Sequence, residues 1–128
     1  MIFGDTSYFV ALADKKDRWH KDAARLSRTV HDDLVVTDLV VSETLTLIGH
    51  RGGGNPAQQF YRFFTDSCAI DFIDRPALDE SMSYHRQFNG KLSVADCASI
   101  VCMGRRGIRS IISFDSDFDR VKGLSRLA

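Results

Sequence analysis

Residues Met1–Ala13 read M-I-F-G-D-T-S-Y-F-V-A-L-A. Ile2 and Phe3 have the character of the end of a short buried strand. Gly4-Asp5-Thr6-Ser7 then interrupts with residues that favour turns and helix N-caps, and Tyr8 to Ala13 resumes an apolar run. This places Asp5 at the C-terminal tip of a strand. In open α/β sheets that edge is where ligands bind, because loops and helix N-termini converge there. One aspartate at a tip carries little weight alone, but Glu43, Asp96 and the pair Asp115/Asp117 recur downstream in similarly apolar settings.

Working outward, alternating patterns of strand and helix run to the end of the chain. Asp17 is positioned to cap a helix bearing Trp19, Ala23, Ala24 and Leu26, running to about Thr29. Leu34–Val36 is a second strand, and Thr37 or Asp38 caps a helix through Ile48 that Gly49 closes. Glu43 in that helix has Leu39, Val40 and Leu47 at helical spacing, which puts its carboxylate on an apolar face. His50–Gly54 reads as a glycine-rich loop, and Asn55-Pro56 as a cap and first helical residue. That helix carries Phe60, Tyr61, Phe63 and Phe64. Cys68–Ile73 is a third strand, Asp74-Arg75-Pro76 opens a helix to about Phe88, and Asn89-Gly90 is a turn. Ser93 caps a nearly all-apolar helix that ends at Gly104 or Gly107, which must be covered on most sides. Ser110–Phe114 is a fourth strand, and the tail from Phe118 adds a short edge strand. The expectation is one α/β domain over 1–128, with a mostly parallel central sheet flanked by helices and neither repeats nor a linker.

A chain of 128 residues suffices for a single core without disulfides or a structural metal. Its 17 basic and 17 acidic residues balance, so bulk charge names no partner. Four carboxylates gathered in one site would leave the remaining surface modestly basic, which suits a polyanionic substrate. Cys68, Cys97 and Cys102 form no metal or redox motif and read as free thiols in a reducing compartment. No basic leader and no apolar run of membrane-spanning length is visible. The expected location is the cytoplasm.

Asp5 and Asp115 fall at strand tips, while Glu43 and Asp96 fall near helix starts, so a doubly wound parallel sheet brings all four to one edge. Clustered carboxylates repel and are costly to desolvate unless a cation neutralises them. Oxygen-only ligands select hard ions such as Mg²⁺ or Mn²⁺. His20, His31, His50 and His85 lack the spacing of a zinc site. Each acid also has a bland role open to it. Ser93 and Asp96 have the spacing of a capping box, and Asp5 and Asp115 could cap helices. Asp17 and Asp38 read as caps only, and Asp119 as a solvated turn residue. Arg105-Arg106 suits the C-terminal end of a helix dipole. Glu43 alone has no capping role. The phenylalanines read as core, with no stacking platform apparent from spacing.

These segments together resemble the PIN domain, and within it the VapC-type toxins of toxin-antitoxin pairs. The likeness spans nearly the whole chain: I-F-G-D-T-S-Y with Asp5, D-R-W-H-K-D-A in the manner of a D-x-x-H-x-x-A helix start, T-D-L-V-V-S-E-T-L with Glu43, L-S-V-A-D-C-A with Asp96, and S-F-D-S-D-F with Asp115 and Asp117. The resemblance implies a parallel sheet whose acidic edge binds Mg²⁺ or Mn²⁺ and hydrolyses RNA phosphodiesters. Asp5, Glu43, Asp96 and Asp115 match the acidic set; Asp5, Asp96, Asp115 and Asp117 are the implied metal ligands. Thr6 and Ser7 are placed to orient Asp5, and Ser113 stands where a small hydroxyl residue is usual. Gly4 departs from the pattern, in which a larger apolar residue precedes the aspartate.

A metal held by Asp5, Asp96 and Asp115 would activate a water and offset charge on the phosphate, with Glu43 as water-mediated ligand or general base. Attack by water leaves a 5′-phosphate and a 3′-hydroxyl. The resemblance further implies a cognate antitoxin with a basic segment approaching the acids, and a homodimer. Helix faces bearing Phe60, Phe63 and Phe64, or the apolar face of the second helix, are candidate surfaces for these partners. Two rivals are a receiver-like phosphoacceptor domain and a PIN-like module that binds RNA or protein without cutting. The first lacks an acceptor aspartate and lysine in the required places, and the intact acidic set argues against the second.

Overall fold

The computed structural model describes residues 1–128. Its strands are β1 (Ile2–Gly4), β2 (Leu34–Thr37), β3 (Cys68–Asp71), β4 (Ser110–Ile112) and β5 (Ser125–Leu127). Its helices are α1 (Thr6–Ala13), α2 (His20–Thr29), α3 (Asp38–Gly52), α4 (Gly54–Ser67), α5 (Arg75–Gln87) and α6 (Val94–Arg106), with a 3-10 turn over Ser116–Arg120. The strands form one sheet in the order β3-β2-β1-β4-β5, every neighbouring pair parallel. The expected α/β architecture is therefore present, and the tail does supply the edge strand. From β1 the chain winds to β2 and β3 on one side and later to β4 and β5 on the other. The order reverses between β1 and β4, the kind of switch point where open sheets leave a crevice.

The central strands bury Phe3, Val35, Val36, Ile111 and Ile112 almost completely. Over them Phe9 of α1 packs against α4, with its ring 4.9 Å from Phe64 and 6.0 Å from Phe60. That packing accounts for Gly4. A Cβ there would meet the Phe9 ring at 2.3 Å, so the residue before Asp5 must be glycine for α1 to fold back this closely. The same packing removes a candidate partner surface: Phe64 is fully buried, and Phe60 and Phe63 are part-buried against the core. The second helix likewise turns Ala23 and Leu26 inward. In these two helices the apolar stripe is largely taken up within the chain, with Tyr61 of α4 left 44% exposed.

Several boundaries differ from the sequence expectation, each for a local reason. Asp17 caps no helix. Its carboxylate accepts the Trp19 N–H at 2.9 Å in a turn, and α2 begins at His20, whose Nδ1 lies 2.8 Å from the Ala11 carbonyl oxygen. Helix α3 runs past Gly49 to Gly52, its last turn held by Arg51 against Asp14 and Asp17 at 3.0 and 2.9 Å. The break falls at Gly53, whose φ of +92° suits glycine. Asn55 is therefore inside α4 and caps nothing. Strand β3 stops at Asp71 because the Ile73 N–H turns to the Asp38 carboxylate at 3.0 Å. Strand β4 stops at Ile112, and the Phe114 N–H goes to Ser7 Oγ at 2.9 Å instead of a neighbouring strand. Asp119 is no free turn residue; Arg126 grips both its oxygens at 2.9 and 3.0 Å. Arg106 clamps Asp71 through Nε and Nη2, both at 2.6 Å, so it does more than face the helix dipole.

Candidate active-site cleft

The sheet's C-terminal edge opens into a cleft of about 380 Å³ whose lining includes Asp5, Glu43, Asp96 and Asp115. Asp5 is at the tip of β1 and nearly buried, at 5% exposure. Its Oδ2 accepts from Ser113 Oγ at 2.7 Å, Ser7 Oγ at 2.8 Å and the Ser7 N–H at 3.4 Å. Each hydroxyl has one proton, and both are spent on Asp5, so the 3.2 Å approach of Ser7 Oγ to Ser113 Oγ is proximity only. The same two oxygens receive the Phe114 N–H and, at 3.0 Å, the Asp115 N–H. Ser7 and Ser113 thus tie the β1 tip to the loop that carries Asp115.

Asp115 Oδ1 accepts the Asp117 N–H at 2.9 Å and caps the 3-10 turn. Asp96 closes the capping box of α6: Ser93 Oγ accepts its N–H at 3.0 Å, and its Oδ2 accepts the Ser93 N–H at 3.3 Å. Capping and cleft placement therefore coexist. Each aspartate spends one carboxylate oxygen on local structure, and none of these bonds engages Oδ1 of Asp5, Oδ1 of Asp96 or Oδ2 of Asp115.

The electrostatics carry the imprint of this crowding. Burial raises Asp5 above the ordinary carboxylate range, against the lowering effect of the Ser113 and Ser7 bonds. Asp96 is pushed up to about 6, by burial first, then by the charge of Asp5 and, less, of Asp115. Thr6 Oγ1, in the same lining, is buried with no partner.

Glu43 is placed differently from the expectation. The buried face of α3 is Val40, Val41, Thr44 and Ile48, which leaves Glu43 exposed, with Leu47 beside it 38% exposed. Its carboxylate stands at the cleft's rim and not against an apolar surface. Asp117 does not join the others: it lies outside the lining and pairs with Arg120 at 3.3 Å. No three acids, histidines or cysteines close into a ready-made metal cage. The sequence reading missed three lining residues, Asp17, Trp19 and Arg51, the last being the cleft's one cation. Asp17 and Trp19 lie in the D-R-W-H segment, a signal spent there on helix capping.

The sequence profile of the PIN domain matches residues 2–124. The chain belongs to the PIN-domain family. It is 27% identical over 120 residues to the 23S rRNA-specific endonuclease VapC20 of Mycobacterium tuberculosis, covering 92% of each chain. The crystal structure of that protein, described as a sarcin-ricin loop cleaving toxin, superposes with a TM-score of 0.87 at 24% identity over 94% of each chain. A toxin-antitoxin complex from Klebsiella pneumoniae matches the fold with a TM-score of 0.74 at 14% identity, covering 100% of this chain and 97% of that one. VapBC2 from Rickettsia felis, bound to a promoter DNA fragment, does so at 0.69 and 12% identity, covering 99% of this PIN domain and 98% of its counterpart.

Proposed function

We propose that this PIN domain is a divalent-metal-dependent endoribonuclease and the toxin of a toxin-antitoxin pair. The observation that carries the reading is the cleft at the sheet's switch point, where Asp5, Asp96 and Asp115 are each braced through one oxygen and leave the other uncommitted. The donor set fits a hard divalent cation, since every candidate ligand is a carboxylate or hydroxyl oxygen. A magnesium ion is commonly held by only one or two carboxylates plus waters, so a closed cage is not required. The orphaned Thr6 hydroxyl in the lining would be satisfied by such a water. Asp5, Asp96 and Asp115 are the proposed ligands, and Asp117 is left out because Arg120 engages it. The chemistry the ion supplies is a more acidic bound water and neutralisation of charge developing on the phosphate.

The chain's own residues do the rest. Ser7 and Ser113 hold Asp5 and the Asp115 loop in register. Glu43, exposed in the lining, would act as general base for the attacking water or hold the ion through a water. Water attack leaves a 5′-phosphate and a 3′-hydroxyl, and no histidine is free in the cleft for a cyclising route. None of His20, His31, His50 and His85 lines the cleft.

The relation to VapC20 makes 23S rRNA, and within it the sarcin-ricin loop, the first substrate to test. Purified protein is incubated with ribosomes and with the isolated loop in Mg²⁺ or Mn²⁺, and product ends are mapped. Discrete cuts with 5′-phosphate ends that vanish with chelator are expected. Cleavage undiminished in excess chelator overturns the metal assignment. The partners proposed are a cognate antitoxin and a second copy of the chain. With the phenylalanines of α4 packed on the core, the large apolar side chains left outside are Phe72, 77% exposed, Met1 at 56%, Met82 and Leu78 of α5 at 48% and 44%, Tyr61 of α4 at 44% and Leu47 at 38%. Leu78 and Met82 share one helix face.

A further inference from the structure

The sequence contains one tryptophan, and it lies in the same cleft as the carboxylates. The Trp19 indole is stacked on Phe114, with ring planes 5° apart and centroids separated by 5.2 Å. Both members are fixed to the acidic site. Phe114 directly precedes Asp115, and its N–H is bound by Ser7 Oγ, which in turn donates to Asp5. The Trp19 N–H is bound by the Asp17 carboxylate. Both aromatic residues are thus held beside the acids through their backbone N–H groups.

A packing role asks only that an indole be buried. Trp19 packs partly against the core, as Phe114 does, yet it also keeps surface in the cleft lining, so it presents aromatic surface where substrate would enter. Over the ring, 4.8 Å from its centroid, is the guanidinium of Arg18, an exposed cation that enters none of the chain's ion pairs. A planar, delocalised group therefore already fits against the indole. Base stacking on an aromatic side chain is tolerant of sequence, but it requires that the base be out of its own helix.

Resting on the reading of this cleft as an RNA-cleaving site, we infer that Trp19, backed by Phe114, is the stacking platform for one unpaired nucleobase next to the phosphate that is cut. Arg18 gives way to the base and turns its charge to the neighbouring backbone phosphate. The substrate class follows: RNA whose target nucleotide sits in a loop or bulge and can be splayed outward, with uninterrupted duplex excluded.

Because Trp19 is the sole tryptophan, its fluorescence reports on this position alone. The parent protein is titrated, with Ca²⁺ in place of Mg²⁺ to suppress turnover, with a stem-loop RNA, with the same RNA made abasic at each loop position in turn, and with a duplex of equal length. Saturable quenching by the stem-loop, lost at one abasic position and absent with duplex, is expected. In steady-state cleavage, Trp19→Ala raises KM roughly 5- to 150-fold, the cost of one lost stacked base, with kcat near the parental value, and Trp19→Phe recovers most of it. Equal quenching by every abasic RNA, or a Trp19→Ala variant with parental KM, overturns the platform. If Trp19→Ala does not fold, the titration of the parent decides. The two readings fail separately: quenching at a single loop base without any cleavage removes the nuclease and keeps the base site, while cleavage at parental KM in Trp19→Ala removes the base site and keeps the nuclease.

Discussion

At the scale of single residues, the acids of the cleft are local caps and cleft ligands at once, because a carboxylate has two oxygens. This separates stability from activity. Asp96→Asn retains an acceptor for the Ser93 N–H, so the variant should lose well under the ~0.5–2 kcal/mol of an abolished cap, whereas RNA cleavage should collapse. Thermal melts and cleavage on the same preparation check both, and a variant cutting at the parental rate returns Asp96 to capping alone. The pH dependence has a definite sign. Asp96 is raised to about 6 when folded, against roughly 3.9 in an unfolded chain. Between those values the folded state holds a proton that the unfolded state has released, so this contribution is complete below about 4 and is lost as pH rises through 6. In chelator the parent should melt higher at pH 5 than at pH 7.5, and Asp96→Asn should narrow the gap. Ser113 offers a complementary test. Its removal deprives buried Asp5 of one donor and the Asp115 N–H of its acceptor, so Ser113→Ala should cost about 1–3 kcal/mol and depress cleavage without removing any ligand. The succession of acids along the chain was readable from sequence. Which oxygens stay free, and that Trp19 meets Phe114, were not, since both depend on where β4 ends relative to α1.

Among the elements, the tie between β1 and α1 governs how closely the site is assembled. Gly4 read as a departure from its family's pattern, yet the ring of Phe9 lies where a Cβ would go. Gly4→Ala should therefore destabilise by about 1–3 kcal/mol through overpacking, and Phe9→Leu in the same chain should return part of that loss. Denaturant unfolding of the two single variants and the double variant measures it; additive losses would mean that the contact is not what fixes glycine there. Strand and helix identities were legible because apolar runs of three or four residues alternate with helical periodicity throughout. Boundaries were less so wherever a side chain took a backbone group that the pattern had assigned to an element, as Asp38 takes the Ile73 N–H and Ser7 that of Phe114. The apolar-face reading of Glu43 failed on a related point. Spacing names a helix's neighbours but not which of them are buried, and the buried stripe of α3 is centred about a third of a turn away.

For the molecule as a whole, balanced charge conceals a strongly uneven distribution. The cleft gathers Asp5, Asp17, Glu43, Asp96 and Asp115 around a single arginine, and Arg51 is already committed to Asp14 and Asp17. Such a cleft attracts cations, and a polyanion enters it only once positive charge is in place. A basic segment of a partner protein supplies positive charge without catalysis, so an antitoxin that inserts one would compete directly with metal and RNA. Expression of the chain alone should slow growth, and co-expression with the antitoxin should restore it. Asp96→Asn should be harmless alone yet still copurify with the antitoxin, because one carboxylate of five is a modest part of the attraction. The complex should resist cleavage assays at low salt and regain activity as ionic strength loosens the charge contacts, provided the RNA still binds. Growth curves for the parent and variant, together with pull-downs across a salt series, measure this. Harmless expression of a protein that cuts RNA in vitro would count against the toxin role, and inhibition insensitive to salt would place the antitoxin's contacts elsewhere than the cleft.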